Sequence, residues 1–344
     1  MSMLSHLGVV ASSLRLSLTP PPASYDFPLL SIRADTGDAA DWTVDVGNLY
    51  QWPTDTTYWI TSDTTERSRM YQSFAIPASY FPEIDNGNGR ISIEHYIQTY
   101  TDDDDVAAFI EFYDVSSGFL GHVHTPTENP STPVTISVPS TIVPPGARSV
   151  KIGWHGARFS GSELSAYVRD IASTLTLETV TPNTDAVVLY AKLNADITGW
   201  TVLSGNFSVR TYADADDWEW ADVDYFVGGA SNTYAHAEYT PTISATWLSK
   251  IATGNVRAIF RGSILRANVG DAVSFGLRFN NGTTNPEEKT GEVSMANAEL
   301  AYVELDRAVP SDTTGIDLIL EFFRHDGAYN DGAAEKLSVM LYET

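Results

Sequence analysis

Hydrophobic and polar residues alternate with a period of two along most of this sequence. Within residues 90–97, for example, Ile91, Ile93 and His95 fall on one face. Alternation of this kind is typical of strands that bury one face, and turns rich in Gly, Asn, Asp and Pro separate the segments. We therefore predict an all-β protein built from antiparallel β-sandwiches, with no long helix. The alternating segments are 90–97, 107–113, 135–138, 150–154, 173–177, 256–265, 272–279, 316–322 and 336–342.

The second half of the sequence repeats the first half weakly. The tripeptide Trp-Thr-Val at 42–44 recurs at 200–202, and residues 89–118 align with residues 254–282. The difference in residue number between matching segments grows slowly along the chain, as is typical of a tandem duplication with loop insertions. The predicted parts are an N-terminal extended arm at 1–24, a first sandwich at 25–178, a linker at 179–186 and a second sandwich at 187–344.

Several stretches of the first predicted sandwich follow one family pattern. A short strand and Gly turn at 31–37 precede an Asp-Trp-Thr run at 41–43, and an Asp-Asn-Gly turn at 85–87 precedes the central strands. A Val-Pro-Pro-Gly-Ala-Arg run at 143–148 comes before the closing strand at 166–171. These features resemble the galactose-binding-like jelly roll, a β-sandwich family that includes many carbohydrate-binding modules. The resemblance implies two tandem jelly rolls, an arrangement also found in phage virion proteins.

The same resemblance raises the question of a structural calcium ion. Family members often bind one through an acidic residue of the opening strand and the Asp of the closing strand. Asp170 matches the closing position, but Arg33 and Thr198 stand at the opening positions of the two copies. We therefore expect no bound metal and no cofactor.

Composition excludes several classes of partner. The 344 residues include 44 acidic and 20 basic side chains, a formal charge of −24, and no Cys. A strongly anionic protein is repelled by nucleic-acid phosphates and by anionic membranes. The lack of Cys excludes disulfides, zinc–thiolate sites and thiol catalysis. We expect no nucleic-acid partner, no membrane insertion and no secretory signal.

Two polar clusters are candidates for metal binding. The four Asp residues at 102–105 could bind a hard cation, but we favour a solvated hairpin tip. His122 and His124 share one strand face, and we expect both to face solvent because a third ligand is not evident nearby. Since the sequence contains no nucleophile elbow, zinc-binding helix or phosphate loop, we predict that the protein is not an enzyme.

Aromatic residues in polar, loop-like sequence are the most informative candidates. Flat rings stack on the apolar face of a sugar ring, and they equally anchor protein interfaces. The alternatives are a glycan site, a subunit interface or plain sandwich core. Trp42, Trp154 and Trp200 fall within strand patterns, which predicts that they are core residues. The candidates for glycan or interface contact are Trp52, Tyr58, Trp59, Trp218, Trp220 and Tyr225.

The N-terminal arm is too apolar to prefer water. Partial alternation over 10–18 indicates a strand, and the Pro residues at 20–22 stiffen the chain after it. The alternatives are a disordered terminus and an anchor that docks on another subunit. The candidate anchor residues are Leu4, Leu7, Val9, Val10, Leu14 and Leu16.

These observations favour a non-enzymatic virion structural or adhesion protein, such as a phage head-decoration, fibre or tail component. Such a protein is made in the host cytoplasm and then resides in the virion. Its expected partners are other virion proteins, further copies of itself in a homo-oligomer, and a cell-surface glycan. The alternative is an extracellular pair of carbohydrate-binding modules.

Overall fold

The computed structural model of this protein is all-β, and its described part excludes the predicted anchor residues of the N-terminal arm. The two helices in that part are both short. The structure describes residues 23–29, 42–47, 49–51, 58–60, 67–99, 104–125, 132, 134–158, 166–178, 183–211, 223–229, 233–266, 271–294, 300–325 and 332–344.

The N-terminal sandwich consists of two antiparallel sheets. Its strands are β1 (Ser24–Asp26), β2 (Thr43–Val46), β3 (Leu49–Gln51), β4 (Tyr58–Ile60), β5 (Arg67–Ala75), β6 (Gly89–Thr99), β7 (Asp104–Tyr113), β8 (Phe119–His124), β9 (Val134–Ile142), β10 (Ser149–Arg158) and β11 (Ala166–Leu177). A 3-10 turn (Ala78–Tyr80) and helix α1 (Phe81–Asp85) connect β5 to β6. Sheet A has the order β3-β4-β11-β6-β9, with β1 also on β11, and sheet B has the order β2-β5-β10-β7-β8.

The C-terminal sandwich is built in the same way. Its strands are β12 (Asp185–Lys192), β13 (Thr201–Ser204), β14 (Ser208–Arg210), β15 (Tyr225–Val227), β16 (Tyr234–Tyr239), β17 (Val256–Arg266), β18 (Ala272–Asn280), β19 (Glu287–Lys289), β20 (Val293–Ser294), β21 (Leu300–Ala308), β22 (Gly315–Phe323) and β23 (Gly332–Glu343). Helix α2 (Ala245–Ile251) begins after Ser244, whose hydroxyl accepts the Trp247 backbone N–H at 3.3 Å. Sheet C has the order β14-β15-β23-β17-β21, with β12 also on β23. Sheet D has the order β13-β16-β22-β18-β19, with β20 also on β18.

Equivalent strands occupy equivalent places in the two sandwiches. Strands β2 and β13, which contain the repeated Thr-Val, both lie at a sheet edge, and β6-β7 take the same places as β17-β18. Both sheet orders of the first sandwich therefore recur in the second. The prediction of tandem antiparallel sandwiches is confirmed.

Each sandwich buries an apolar layer between its two sheets. Ile91 and Ile93 of β6 contact the same core as Ile110 and Phe112 of β7. Burial contributes roughly 1.5–3 kcal/mol for each side chain of this size. The apolar side chains that alternate along these strands therefore stabilise the sandwich by packing between its two sheets.

The predicted core tryptophans are buried. Trp42, Trp154 and Trp200 are all less than a tenth exposed, which confirms their prediction. The indole N–H of Trp200 donates to the Tyr190 hydroxyl at 3.3 Å, and its ring lies 5.4 Å from that of Phe226. In the second core, therefore, Trp200 combines aromatic packing with a satisfied polar group.

His95 shares the inward face of β6 with Ile91 and Ile93, as the alternation predicts, and it is 1% exposed. Burial lowers the pKa of its imidazole from 6.5 to about 4. The folded protein therefore keeps His95 neutral at pH values where the unfolded chain protonates it.

The two sandwiches pack against each other through sheets B and C. Strand β8 lies against β12, β17 and β23. Gly121 in β8 allows this approach, because a Cβ at that position would lie 3.0 Å from the Ser338 hydroxyl. Two apolar clusters span the contact. One contains Ala107, Ala157, Tyr225, Val227, Leu265, Leu300 and Ala333, and the other contains Ile142, Ala186, Ile259, Met340 and Tyr342.

Arg261 of β17 connects the sandwiches through buried hydrogen bonds. Its guanidinium, 2% exposed, donates to the Ile142 backbone oxygen at 2.9 Å and to Thr141 Oγ1 at 3.0 Å in β9. It also donates to Glu304 Oε2 of its own sandwich at 2.8 Å. One buried cation is thus satisfied only when both sandwiches are in place.

Asn183, in the predicted linker, adds a second polar connection. Its backbone N–H donates to Asn88 Oδ1 at 2.5 Å, and its side-chain amide donates to the Gly87 backbone oxygen at 2.7 Å. These bonds fix the start of the C-terminal sandwich against the turn after α1.

The first prediction concerns His95. Because its pKa is lower in the folded state, its stabilising effect is complete above about pH 6.5 and is lost as pH falls towards 4, a change of about 3 kcal/mol. We expect His95→Leu to remove this part of the pH dependence, measured as the free energy of urea unfolding at pH 7 and pH 4. Ile93→Leu, a substitution on the same buried face of β6 that removes no titratable group, is the control and should leave the pH dependence as in the wild type. An equal pH dependence in wild type and His95→Leu would contradict the prediction.

The second prediction concerns the contact between the sandwiches. We expect Arg261→Ala to lower the free energy of unfolding by about 3–5 kcal/mol, because it leaves buried acceptors from both sandwiches unpaired. Arg257→Ala is the matched control on the same strand face: its partly exposed pair with Asp306 should contribute less than about 1 kcal/mol. Urea unfolding measures both, and equal effects of the two variants would refute the role of Arg261.

Candidate functional site

The structure describes only some of the predicted site residues. Trp52, Trp218 and Trp220 lie outside the described residues. Tyr58 and Trp59 belong to β4, of which the structure describes the backbone alone. Strand β15 holds the place in sheet C that β4 holds in sheet A. The strands that contain Tyr58 and Trp59, on one side, and Tyr225, on the other, thus occupy equivalent places in the two sandwiches.

Tyr225, the remaining aromatic candidate, is fully buried. It lies in β15, in the apolar cluster that joins the sandwiches, with Ala107 and Ala157 on the other side of the contact. Its ring therefore packs between the two sandwiches of one chain and presents no face to a sugar.

His122 and His124 also lie between the sandwiches. They are 1% and 4% exposed, and their ring centroids are 5.9 Å apart. His122 Nε2 lies 2.6 Å from Ser263 Oγ, and both rings contact the Tyr302 ring edge-on. The shared strand face is confirmed. The prediction that they face solvent is wrong, because sheet C covers this part of sheet B.

The acidic run at 102–105 is partly incorporated into a strand. Asp104 and Asp105 begin β7, pair with Arg158 and Ala157 of β10, and are buried. The predicted solvated hairpin tip is wrong for these two residues, because the ladder with β10 extends to the first residue of β7. The first two Asp residues of the run lie outside the described part of the chain.

The candidate site that the structure does show is the outer face of sheet D, which we call the sheet D face. Along β22, Leu318 and Leu320 point into the core, so Asp317, Ile319 and Glu321 point outward. The same alternation turns one side of β16, β18 and β19 outward. Asp317, Ile319 and Glu321 are each less than a tenth exposed, whereas Arg278, Glu287 and Lys289 on the neighbouring strands are 20–35% exposed. Its charged residues are Glu238, Arg278, Glu287, Lys289, Asp317 and Glu321.

Arg278 is the centre of this charged network. Its two Nη atoms donate to the two carboxylate oxygens of Glu238 at 2.7 and 2.5 Å, and its Nε donates to Glu287 Oε1 at 2.8 Å. Asp317 Oδ2 lies 3.6 Å from Arg278 Nη1. Bidentate pairing of this kind fixes the plane of the guanidinium. The network thus consists of oriented groups on a rigid sheet.

Lys289 extends the network along β19. Its ammonium donates to Glu321 Oε1 at 2.7 Å and lies 3.3 Å from Glu287 Oε2. Beneath it, Gly276 leaves room for the aliphatic part of Lys289, because a Cβ there would lie 3.1 Å from Lys289 Cγ and from Ile319 Cβ. The small residue therefore lets the charged layer lie close to the sheet.

The pKa values follow from these pairs. Hydrogen bonds to Glu238 raise the pKa of Arg278 against the opposing effect of burial. Burial lowers the pKa of Lys289, but its bonds and ion pairs with Glu321 and Glu287 together outweigh burial, and the net shift is upward. Burial raises the pKa of Glu287, but its bonds and ion pairs with Arg278 and Lys289 together outweigh burial, and the net shift is downward. These three groups are therefore firmly charged at neutral pH.

An aromatic row borders the charged network. The Tyr234 ring lies 5.3 Å from the Phe323 ring, which stacks on the imidazole of His325 at 6.3 Å with a 3° angle between planes. Tyr234 donates its hydroxyl to Glu321 Oε1 at 2.7 Å, and burial together with this bond raises its pKa. Phe323 and Tyr234 are half-buried and His325 is exposed. The row joins a flat apolar surface to the oriented polar groups.

The equivalent face of the first sandwich is the outer face of sheet B, and it is covered. In sheet B, Glu111 pairs with His122 and Phe109 pairs with His124 across β7 and β8. The equivalent pairs in sheet D are Arg278 with Glu287 and Gly276 with Lys289, across β18 and β19. All four sheet B residues are buried. Lys336 of β23 reaches to 3.4 Å from Glu111 Oε1. In the described part of sheet D, by contrast, Arg278, Glu287 and Lys289 are 20%, 35% and 32% exposed.

Sequence reasoning missed the sheet D face. Its residues are scattered over four strands, and each strand shows only ordinary alternation of polar and apolar positions. A signal was present in Arg278 and Lys289, since a cation on the polar side of a strand flanked by acidic strands indicates a network. Finding it required the strand order, which the sequence does not state.

The described residues show neither a metal centre nor a membrane-spanning helix. They contain no group of three His, Asp or Glu side chains arranged to bind a metal ion. Among the same residues, no helix has the length and apolar character needed to cross a membrane.

Comparison with known proteins identifies similar folds only. No protein-family model and no curated protein sequence matches this chain. Among solved structures, the CBM22-1-CBM22-2 tandem of Xyn10C from Paenibacillus barcinonensis matches 92% of this chain and 97% of its own, at 12% identity and a TM-score of 0.32. A family 16 carbohydrate-binding module matches 44% of this chain and 98% of its own, at 12% identity and a TM-score of 0.31.

A third structure comes from a phage. The enzymatically active domain of tailspike protein 4 of bacteriophage CBA120 matches 39% of this chain and 19% of its own, at 16% identity and a TM-score of 0.29. The sheet orders confirm the predicted tandem of antiparallel sandwiches. Likeness at this level says nothing about ligand or role, so the function has to be argued from the residues of the sheet D face.

Proposed function

We propose that this protein is a non-enzymatic glycan-binding protein and that the sheet D face is its binding surface. The observation that carries the proposal is the joining of an aromatic row to a hydrogen-bonding network on one open sheet. Sugar rings present an apolar C–H face and many hydroxyl groups. A site for them needs flat rings beside oriented donors and acceptors.

The sheet D face supplies both kinds of contact. Phe323 and His325 form the flat surface, and Tyr234 connects it to Glu321 of the network. Carboxylate oxygens are strong acceptors for hydroxyl donors, and they need no rearrangement when their positions are fixed. The site is therefore organised before the ligand arrives, which lowers the entropic cost of binding.

Binding without catalysis fits the electrostatics of this face. Acid catalysis of glycoside cleavage needs a carboxyl group with a raised pKa. The pKa of Glu287 is lowered by its bond from Arg278. Glu287 therefore acts as a hydrogen-bond acceptor and not as a proton donor at neutral pH. A glycan-binding role also accords with an extracellular location.

The third prediction tests this role. We expect Phe323→Ala and Tyr234→Ala each to weaken binding of a soluble oligosaccharide at least tenfold, about 1.4 kcal/mol, because each removes part of the stacking surface. Isothermal titration against xylo-, cello- and galacto-oligosaccharides measures the effect. Phe119→Ala, a partly exposed aromatic residue outside the sheet D face, is the control and should bind as the wild type does. Tight binding by Phe323→Ala and Tyr234→Ala would rule out this face as the site.

The same titration includes the aromatic candidates from the sequence. Trp52, Tyr58, Trp59, Trp218 and Trp220 remain predictions for glycan or interface contact. Loss of binding in Trp52→Ala or Trp59→Ala, with Phe323→Ala unaffected, would move the site to the N-terminal sandwich. Retained binding in both Trp variants would leave the sheet D face as the binding surface.

The virion role and the homo-oligomer also remain predictions, and our fourth prediction addresses them through the N-terminal arm. If the arm anchors subunits, the full chain forms an oligomer that dissociates when the chain begins at Tyr25. Light scattering after size exclusion measures both masses. A monomer in both forms would remove self-assembly through the arm and leave the glycan-binding role unaffected.

A further inference from the structure

The charge balance of the sheet D face points to the class of glycan. The face carries four carboxylates, those of Glu238, Glu287, Asp317 and Glu321, and two cations, Arg278 and Lys289. With histidine neutral, the described residues of this face have an excess of two negative charges. The whole chain, this face included, has a formal charge of −24.

Both cations already have carboxylate partners. Arg278 uses its bidentate side on Glu238 and its Nε on Glu287. Lys289 donates to Glu321 and lies close to Glu287. An acidic sugar could reach either cation only by displacing one of these carboxylates, which would then lie unpaired beside another negative group. Such an exchange gains no ion pair and adds repulsion.

Two carboxylates of the face also accept hydrogen bonds from uncharged donors, as they would from the hydroxyl groups of a sugar. Asp317 accepts from the Thr240 hydroxyl at 2.5 Å and from the Asn280 amide at 2.9 Å. Glu321 accepts from the Tyr234 hydroxyl. Two of the four carboxylates, Asp317 and Glu321, thus already bond to uncharged O–H and N–H donors, the chemistry that sugar hydroxyl groups provide.

We propose that the sheet D face binds uncharged glycans and rejects anionic ones, such as glycans that contain uronic acid or sulfate. This inference rests on the proposed glycan-binding function and gives it a ligand class. The selectivity comes from carboxylates that accept hydrogen bonds from sugar hydroxyl groups and repel sugar carboxylates. Long-range repulsion by the acidic chain acts in the same direction and is screened by salt.

The experiment, which gives our fifth prediction, compares matched neutral and anionic oligosaccharides. The pairs are cello-oligosaccharides with their C6-oxidised uronate forms, xylo-oligosaccharides with glucuronate-bearing ones, and galacto-oligosaccharides with oligogalacturonates. We expect each anionic member to bind at least tenfold more weakly than its neutral partner in titrations at 50 mM salt. The difference should narrow at 500 mM salt, because screening reduces the repulsion.

A charge-reversal variant locates the selectivity. We expect Glu287→Lys to shift the ratio of anionic to neutral affinity at least tenfold towards the anionic member, because it makes the face electrically neutral. Asp26→Lys changes the net charge of the chain by the same amount, but on β1 of the other sandwich, and should leave the ratio unchanged. Equal shifts in both variants would assign the selectivity to net charge and overturn the role of the face.

The remaining outcomes separate this inference from the proposed function. An anionic member that binds as tightly as its neutral partner would overturn the selectivity while glycan binding stands. Failure of all six oligosaccharides to bind the wild type would overturn the glycan-binding function and this inference with it.

Discussion

The contact between sheets B and C determines which surface of this protein can meet a ligand. Two equivalent faces arise from the duplicated fold, and packing one sandwich on the other buries the face of the first. The contact contains apolar clusters, but it also encloses Arg261, His122 and Glu111. Buried charged and polar groups contribute little net stability, yet they require defined partners. We infer that their main effect is to fix one orientation of the sandwiches.

That orientation is supported from both sides of the contact. Arg261 donates to β9 from the second sandwich, and Asn183 ties the chain segment before β12 to the turn at Gly87. Sliding of one sandwich over the other would break both sets of bonds at once. Within the described part of the chain, these bonds therefore define one position of the sheet D face relative to the first sandwich.

Much of the fold could be predicted from the sequence because it follows from local alternation. The segments 90–97 and 316–322 show which residues face the core without any knowledge of their neighbours. The surroundings of the polar face could not be predicted in this way. His122 and His124 share a face by periodicity, but whether that face meets water depends on the distant strands β17 and β23. Sequence alternation identifies the polar side of a strand, and only packing decides whether that side is buried.

The candidate site illustrates the same limit in a different form. Isolated Trp residues attracted notice in the sequence, whereas Phe323 and Tyr234 resemble ordinary strand residues. Their proximity, 5.3 Å between ring centroids, arises because β16 pairs with β22 in a register that places these two residues opposite each other. A site that is distributed over several strands depends on the pairing register between them, and no single segment of the sequence determines that register.

The two copies carry different residues at matching positions of one sheet face. At matching positions the first copy has Glu111 where the second has Arg278, and His124 where the second has Lys289. In the first copy, Glu111 accepts a hydrogen bond from Arg69 of its own sheet at 2.7 Å and also lies 3.4 Å from Lys336 of the other sandwich. In the second copy, Arg278 and Lys289 satisfy the acidic residues of their own face. In both copies, therefore, an acidic residue of this sheet face pairs with an Arg of the same sheet, and the two faces differ in whether the other sandwich packs on them.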